Sequence, residues 1–137
     1  ALCGRPAACD RVRGEGANMD ENAWVKEFAA AVTVCDTEGR ILEMNDRSRE
    51  TYAAEGGAAL LGTNLLDCHP EPSRSKLAAM MGERRTNVYT IRKKGRKKLI
   101  YQAPWYKDGA YAGFVELSLE VPWDMPHFDR DRKGSNL

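Results

Sequence analysis

The stretch Val34-Cys35-Asp36-Thr37-Glu38-Gly39-Arg40-Ile41-Leu42-Glu43-Met44-Asn45 decides how the rest of the chain is read. Its left arm reaches back through Ala31-Val32-Thr33 and is apolar and β-branched, while its right arm, from Ile41, is a second short apolar run. Asp36 and Gly39 sit around the brief break between them. That pattern is the signature of a strand, a tight turn and a second strand. Asn45 closes the second arm with a short amide side chain suited to cap a helix. Asp46 to Ala54 then contains neither Pro nor Gly, and Gly56-Gly57 stops it, so one short helix is predicted after the hairpin.

Upstream, Asp20 to Ala29 places Trp24, Val25 and Phe28 on one face and acidic residues at the start, which predicts a short amphipathic helix. Residues 1–18 carry Gly, Pro and Arg without apolar partners and read as a flexible extension, with Met19 as the expected natural start. Downstream, Ala58 to Asp67 suits a turn of helix or a loop, and Pro70 and Pro72 break the chain. Ser73 is the expected cap of a helix running to about Arg84, with Leu77, Met80 and Met81 on one face. The remainder reads as three strands, Asn87 to Lys93, Lys97 to Tyr106 and Tyr111 to Val121, joined at Lys94-Gly95-Arg96 and at Asp108-Gly109, a dipeptide that favours a type I′ turn. Pro104 belongs near a strand end or bulge. In the last strand Val115, Leu117, Leu119 and Val121 alternate with Glu116, Ser118 and Glu120, which predicts one buried and one wet face. Residues 122–137, broken early by Pro122 and Pro126, form a tail.

The whole is 137 residues, enough for one domain, with 42% hydrophobic and 30% charged residues. That balance excludes wholesale disorder. Twenty-one Lys and Arg against 20 Asp and Glu give a net charge of +1, so no global field steers the chain to nucleic acid or an anionic membrane. No apolar run approaches the roughly 20 residues of a membrane span, and no apolar signal stretch is found at the start. Cys3, Cys9, Cys35 and Cys68 form no CxxC pair, and His69 and His127 stand at no ligand spacing to them, which argues against disulfides and structural zinc. A cytoplasmic location is expected.

Two strands, several short helices and a three-stranded meander, in that order, resemble the PAS domain. The segment Val34 to Asn45 looks like that family's strand, Asp-x-x-Gly-Arg turn and strand ending in Asn. Leu61-Gly62-Thr63-Asn64-Leu65-Leu66-Asp67 is similar to its Leu-Gly-x-Asn segment, and Gly109 to Val121 to its last hairpin strand. The resemblance spans about Trp24 to Val121 within a domain of residues 19–121. It implies an α+β fold: a five-stranded antiparallel sheet with short helices over one face, an N-terminal capping helix and a small core pocket. Fold alone does not fix function.

The resemblance further implies a sensory module that binds a small molecule or cofactor in its pocket and relays occupancy through protein contacts, including a homodimer. The alternative is a ligand-free interaction and dimerisation domain. Light-sensing members carry a reactive Cys after the Asn of the Leu-Gly-x-Asn segment, where this chain has Leu65, so flavin-thiol photochemistry is not expected. Haem-binding members use a His from the nearby helix, which marks His69, beside Cys68, as the candidate ligand. Met80 and Met81 are candidates for an adaptable pocket wall, and Tyr101 and Trp105 for pocket-packing aromatics. The Arg92-Lys93-Lys94-Gly95-Arg96-Lys97-Lys98 run reads as a solvated hairpin tip rather than a nucleic-acid site. The carboxylates Asp36, Glu38, Glu43, Asp46 and Asp67 fall in turns or helix starts, and no catalytic arrangement emerges. An enzyme is not expected.

Overall fold

The computed structural model describes residues 21–131; the expected extension over residues 1–18 lies outside them. One carboxylate builds the decisive turn. Asp36 Oδ1 accepts from the backbone N–H groups of Glu38 and Arg40, both at 2.9 Å, and closes the hairpin between β1 (Ala31–Cys35) and β2 (Ile41–Met44). Gly39 sits at φ 91°, and a Cβ there would meet Asn64 Oδ1 at 2.9 Å. The close approach has a purpose: Asn64 Nδ2 donates to Glu38 O, Leu65 N to Gly39 O, and Arg40 to Gly62 O. The two sequence motifs therefore dock on one another, which fixes where the chain after Gly62 begins.

Asn45 caps the next helix, α2 (Asp46–Thr51), and does more. Its Oδ1 accepts from Ser48 N and Val32 N, and its Nδ2 donates to Ala30 O at 2.8 Å and Val25 O at 3.0 Å. A buried amide with all these partners ties the helix to the chain entering β1. The same contact shortens the N-terminal helix. Instead of the expected run from Asp20 to Ala29, α1 is a single turn, Ala23–Lys26, because the Val25 carbonyl turns to Asn45 and to Phe28 N. Three 3-10 turns follow α2, at Ala53–Glu55, Gly57–Leu60 and Leu65–Cys68. Next comes α3 (Ser73–Glu83). Pro72, not Ser73, occupies its cap position: the carbonyls of Pro70 and Pro72 already accept from Arg74 and Lys76, so helical turning starts before Ser73.

Strands β3 (Asn87–Lys93), β4 (Arg96–Lys107) and β5 (Ala110–Val121) complete a sheet of order β2-β1-β5-β4-β3, antiparallel throughout. Arg96 belongs to β4 rather than to the turn. Positive φ at Lys94 and Gly95, and at Asp108 and Gly109, gives both hairpins the paired left-handed residues of a type I′ connection. Pairing of β3 with β4 ends at Gln102, so Pro104 lies where β4 has lost its outer neighbour, beside an irregularity at Trp105/Tyr106. A missing N–H costs little there.

The alternation in β5 is real, and at its end Val121 is buried and Glu120 exposed as expected, but earlier in the strand Phe114 and Ser118 are buried rather than Val115 and Leu117. Phe114, Glu116 and Ser118 pair with Cys35, Thr33 and Ala31 and share their inner face under the helices, where Phe114 and Ser118 are buried. Val115, Leu117 and Leu119 occupy the outer face and are only half-buried. The core proper is Cys35, Phe114, Met80 and Met81, with Leu65, Leu77 and Tyr111 packed against it.

Candidate functional site

Between the inner sheet face and α3 lies a cavity of about 260 Å³. The sheet contributes Thr33, Cys35, Gln102, Phe114 and Glu116; Leu77, Met80 and Met81 close it from α3. Leu60, Leu65, Cys68 and His69 contribute from the 3-10 turns and the residue that follows them, and Tyr52 and Glu55 from the chain after α2. The wall is chiefly apolar. Its polar pole is Glu116, whose two carboxylate oxygens accept from Tyr52 Oη at 2.6 Å and Gln102 Nε2 at 2.7 Å. Asn87 Nδ2 in turn donates to Gln102 Oε1, so one hydrogen-bonded chain crosses β3, β4 and β5 and ends at the helical segment.

Electrostatics follow from that packing. Burial, with the Glu116 carboxylate beside it, pushes the Tyr52 phenol far above its ordinary range, so it remains a donor. Burial likewise pushes the Cys35 thiol up, and Cys35 packs as a small protonated hydrophobe. Among the described residues, Cys35 and Cys68 are free thiols, and no group of three or more His, Cys, Asp or Glu side chains is placed to hold a metal. No helix among them is long and apolar enough to cross a membrane.

Of the residues singled out from sequence, Cys68, His69, Met80 and Met81 come together in the lining. Tyr101 and Trp105 do not. Pairing in β4 turns Gln102 and Pro104 inward, leaving Tyr101 on the outer face, 40% exposed. Trp105 lies opposite Gly113 and donates its indole Nε1–H to Cys35 O at 2.9 Å. Tyr52, Gln102 and Glu116 were missed, since reading the Glu116 row of β5 as the wet face removed them from view. The basic run is partly engaged: Arg92 and Lys97 lie over the Trp123 ring, and Arg96 pairs with Glu120.

Haem does not fit this cavity. His69 Nδ1 lies 2.6 Å from Leu65 O, which holds the ring and leaves Nε2 as the nitrogen with a lone pair, as a metal ligand requires. The volume, however, falls just below the roughly 300 to 1,000 Å³ of pockets for drug-sized molecules, and a haem macrocycle needs more. Leu65, in the place of the flavin-reactive thiol, packs on the core.

A family model described as the PAS fold matches residues 25–121. The chain belongs to the PAS family. Solved PAS structures share its fold at low sequence identity. The PAS domain of BvgS from Bordetella pertussis superposes with a TM-score of 0.57 at 16% identity, over 84% of this chain and 89% of that one. The Aer2 receptor of Vibrio cholerae, described as a dual PAS-haem oxygen sensor, gives 0.55 at 15%, over 68% and 95%. The PAS domain of the histidine kinase ThkA gives 0.51 at 19%, over 66% and 98%. No curated protein is detectably similar in sequence. The chain thus carries a PAS domain and shares its fold with PAS domains of a receptor and a histidine kinase.

Proposed function

We propose that this PAS domain is a non-enzymatic cytoplasmic sensor that binds a small molecule in its core cavity and passes occupancy to a protein partner, including a second copy of itself. The observation that carries this reading is that cavity and core are one object. Met80, Met81 and Phe114 line the first and make up the second. A ligand there would bias the packing of α3 on the sheet, and α3 is tied to β5 through Tyr111 Oη and Met81 O at 3.2 Å. Occupancy would then shift an existing equilibrium between conformations. His69, Cys68, Met80 and Met81 are the proposed ligand contacts, joined by Tyr52 and Glu116. The free thiols Cys35 and Cys68 suit a reducing compartment.

The open outer face supports a second reading, a ligand-free interaction domain. Native and denaturing mass spectra of the freshly purified protein separate the two. Under the sensor reading the native spectrum carries an extra non-covalent mass, or a small-molecule library raises Tm and Leu77→Trp, which fills the cavity, cancels the rise. A bare chain with no Tm response to any compound would leave the interaction reading.

A further inference from the structure

Charge is unbalanced across the cavity lining. Glu116 and Glu55 both contribute to it, whereas among the described residues no Lys or Arg does. The one imidazole, His69, is occupied at Nδ1 by the Leu65 carbonyl. Both donors to Glu116, the Tyr52 hydroxyl and the Gln102 amide, are neutral, and among the described residues no cation lies within ion-pair distance of it. Two carboxylate oxygens offer about four acceptor sites, so two hydrogen bonds leave capacity for further donors. A half-buried carboxylate held by neutral groups is stabilised most by a cation.

Shape adds to charge. Phe114 is two residues from Glu116 on the same strand face, a separation of about 7 Å, and Met80 and Met81 close the apolar end. From this arrangement we infer that the cavity selects a small apolar molecule bearing one ammonium group, with the charge on Glu116 and the body against Phe114, Met80 and Met81. The inference rests on the cavity being a ligand site and names the class of ligand that site takes. An anionic ligand of the same shape meets two like charges. A neutral one gains burial alone.

Three probes of one shape test this: phenethylammonium, 2-phenylethanol and phenylacetate, with dissociation constants measured by protein-observed NMR on the purified chain. Phenethylammonium binds at least tenfold tighter than the alcohol, and phenylacetate binds weakest. Glu116→Gln brings the amine level with the alcohol while alcohol binding persists, which also certifies that the variant cavity is intact. Glu55→Gln, at an exposed position, reduces the amine preference by a smaller factor and serves where Glu116→Gln does not fold. An amine that binds no tighter than the alcohol, or a preference that survives both substitutions, overturns the ligand class and leaves the cavity reading standing. Failure of all three probes to bind also overturns the ligand class, and the cavity reading is then decided by the Tm response to the wider library.

Discussion

The two faces of the sheet are built from the same five strands and solve opposite problems. The inner face carries Glu116, Gln102 and Thr33, yet each of these has a hydrogen-bond partner, and no fully buried side-chain polar atom among the described residues lacks one. The outer face carries Val32, Val34, Val115, Leu117 and Leu119, yet none of these is fully buried. Polarity and burial are decoupled here. A polar residue is tolerated inside where donors such as Tyr52 and Gln102 are aimed at it, and an apolar row is left outside where a partner chain can cover it.

The contrast depends on β5 lying tightly against β1. At Gly113, with φ 143°, a Cβ would run into the Cys35 carbonyl oxygen and the Asp36 backbone, none of which can swing aside. Gly113→Ala therefore carries the largest expected effect, a destabilisation of about 4 kcal/mol by denaturant unfolding. A loss below about 1 kcal/mol would mean the strands adjust freely and that the two faces are not rigidly assigned.

An intermediate effect belongs to the inner face alone. Tyr52→Phe removes a 2.6 Å hydrogen bond to a carboxylate and should cost about 2 kcal/mol. The same phenol gives a pH signature. Its folded pKa is raised, so the folded state keeps a proton that the unfolded chain releases above about pH 10, and stability falls as pH rises beyond that point. Tyr89 and Tyr111 are raised as well, by burial first. Wild-type protein should lose stability above about pH 10 more steeply than Tyr52→Phe. Equal slopes would show that burial and Glu116 together do not raise the Tyr52 phenol in the folded state.

How far the sequence reveals this is best seen residue by residue. Asp36, Gly39 and Asn45 were legible because their work is local: a turn, a positive φ and a helix cap are written within a few residues. The docking of Asn64 on the Gly39 turn could be read only as two motifs in order, since the contact spans 26 residues. Strand alternation gives a period of two and nothing about which side faces the helices. For β5 the apolar row looked like the core, and the polar row, with Glu116, looked like solvent. The Glu116 partners come from β4 and from the end of α2, so no window of sequence holds the site. For Trp24 and Phe28 the sequence leaves open whether the apolar face covers its own sheet or that of a partner. They form an edge-to-face pair at 5.8 Å and remain 68% and 49% exposed, because polar contacts from Asn45, and from Asp46 to Lys26, hold that segment instead.

The smallest effect on stability is expected on the outer face, and it sharpens the comparison most. Leu117 follows Glu116 directly but points the other way, between Val32 of β1 and Tyr101 of β4. Leu117→Lys leaves the cavity and the Glu116 bonds untouched, and a lysine stem can lie along the half-buried site with its charge in water. A cost of about 1 kcal/mol to the folded chain is expected, with intact ligand binding. If the outer row is the surface that meets a second copy, the charge places an ammonium group in a desolvated apolar contact, and sedimentation should show the dimer lost at concentrations where the wild type holds it. A dimer that survives Leu117→Lys and yields to Trp24→Ala with Phe28→Ala would move the interface to the aromatic pair on α1. A wild type that stays monomeric at high micromolar concentration would end the homodimer hypothesis for both surfaces.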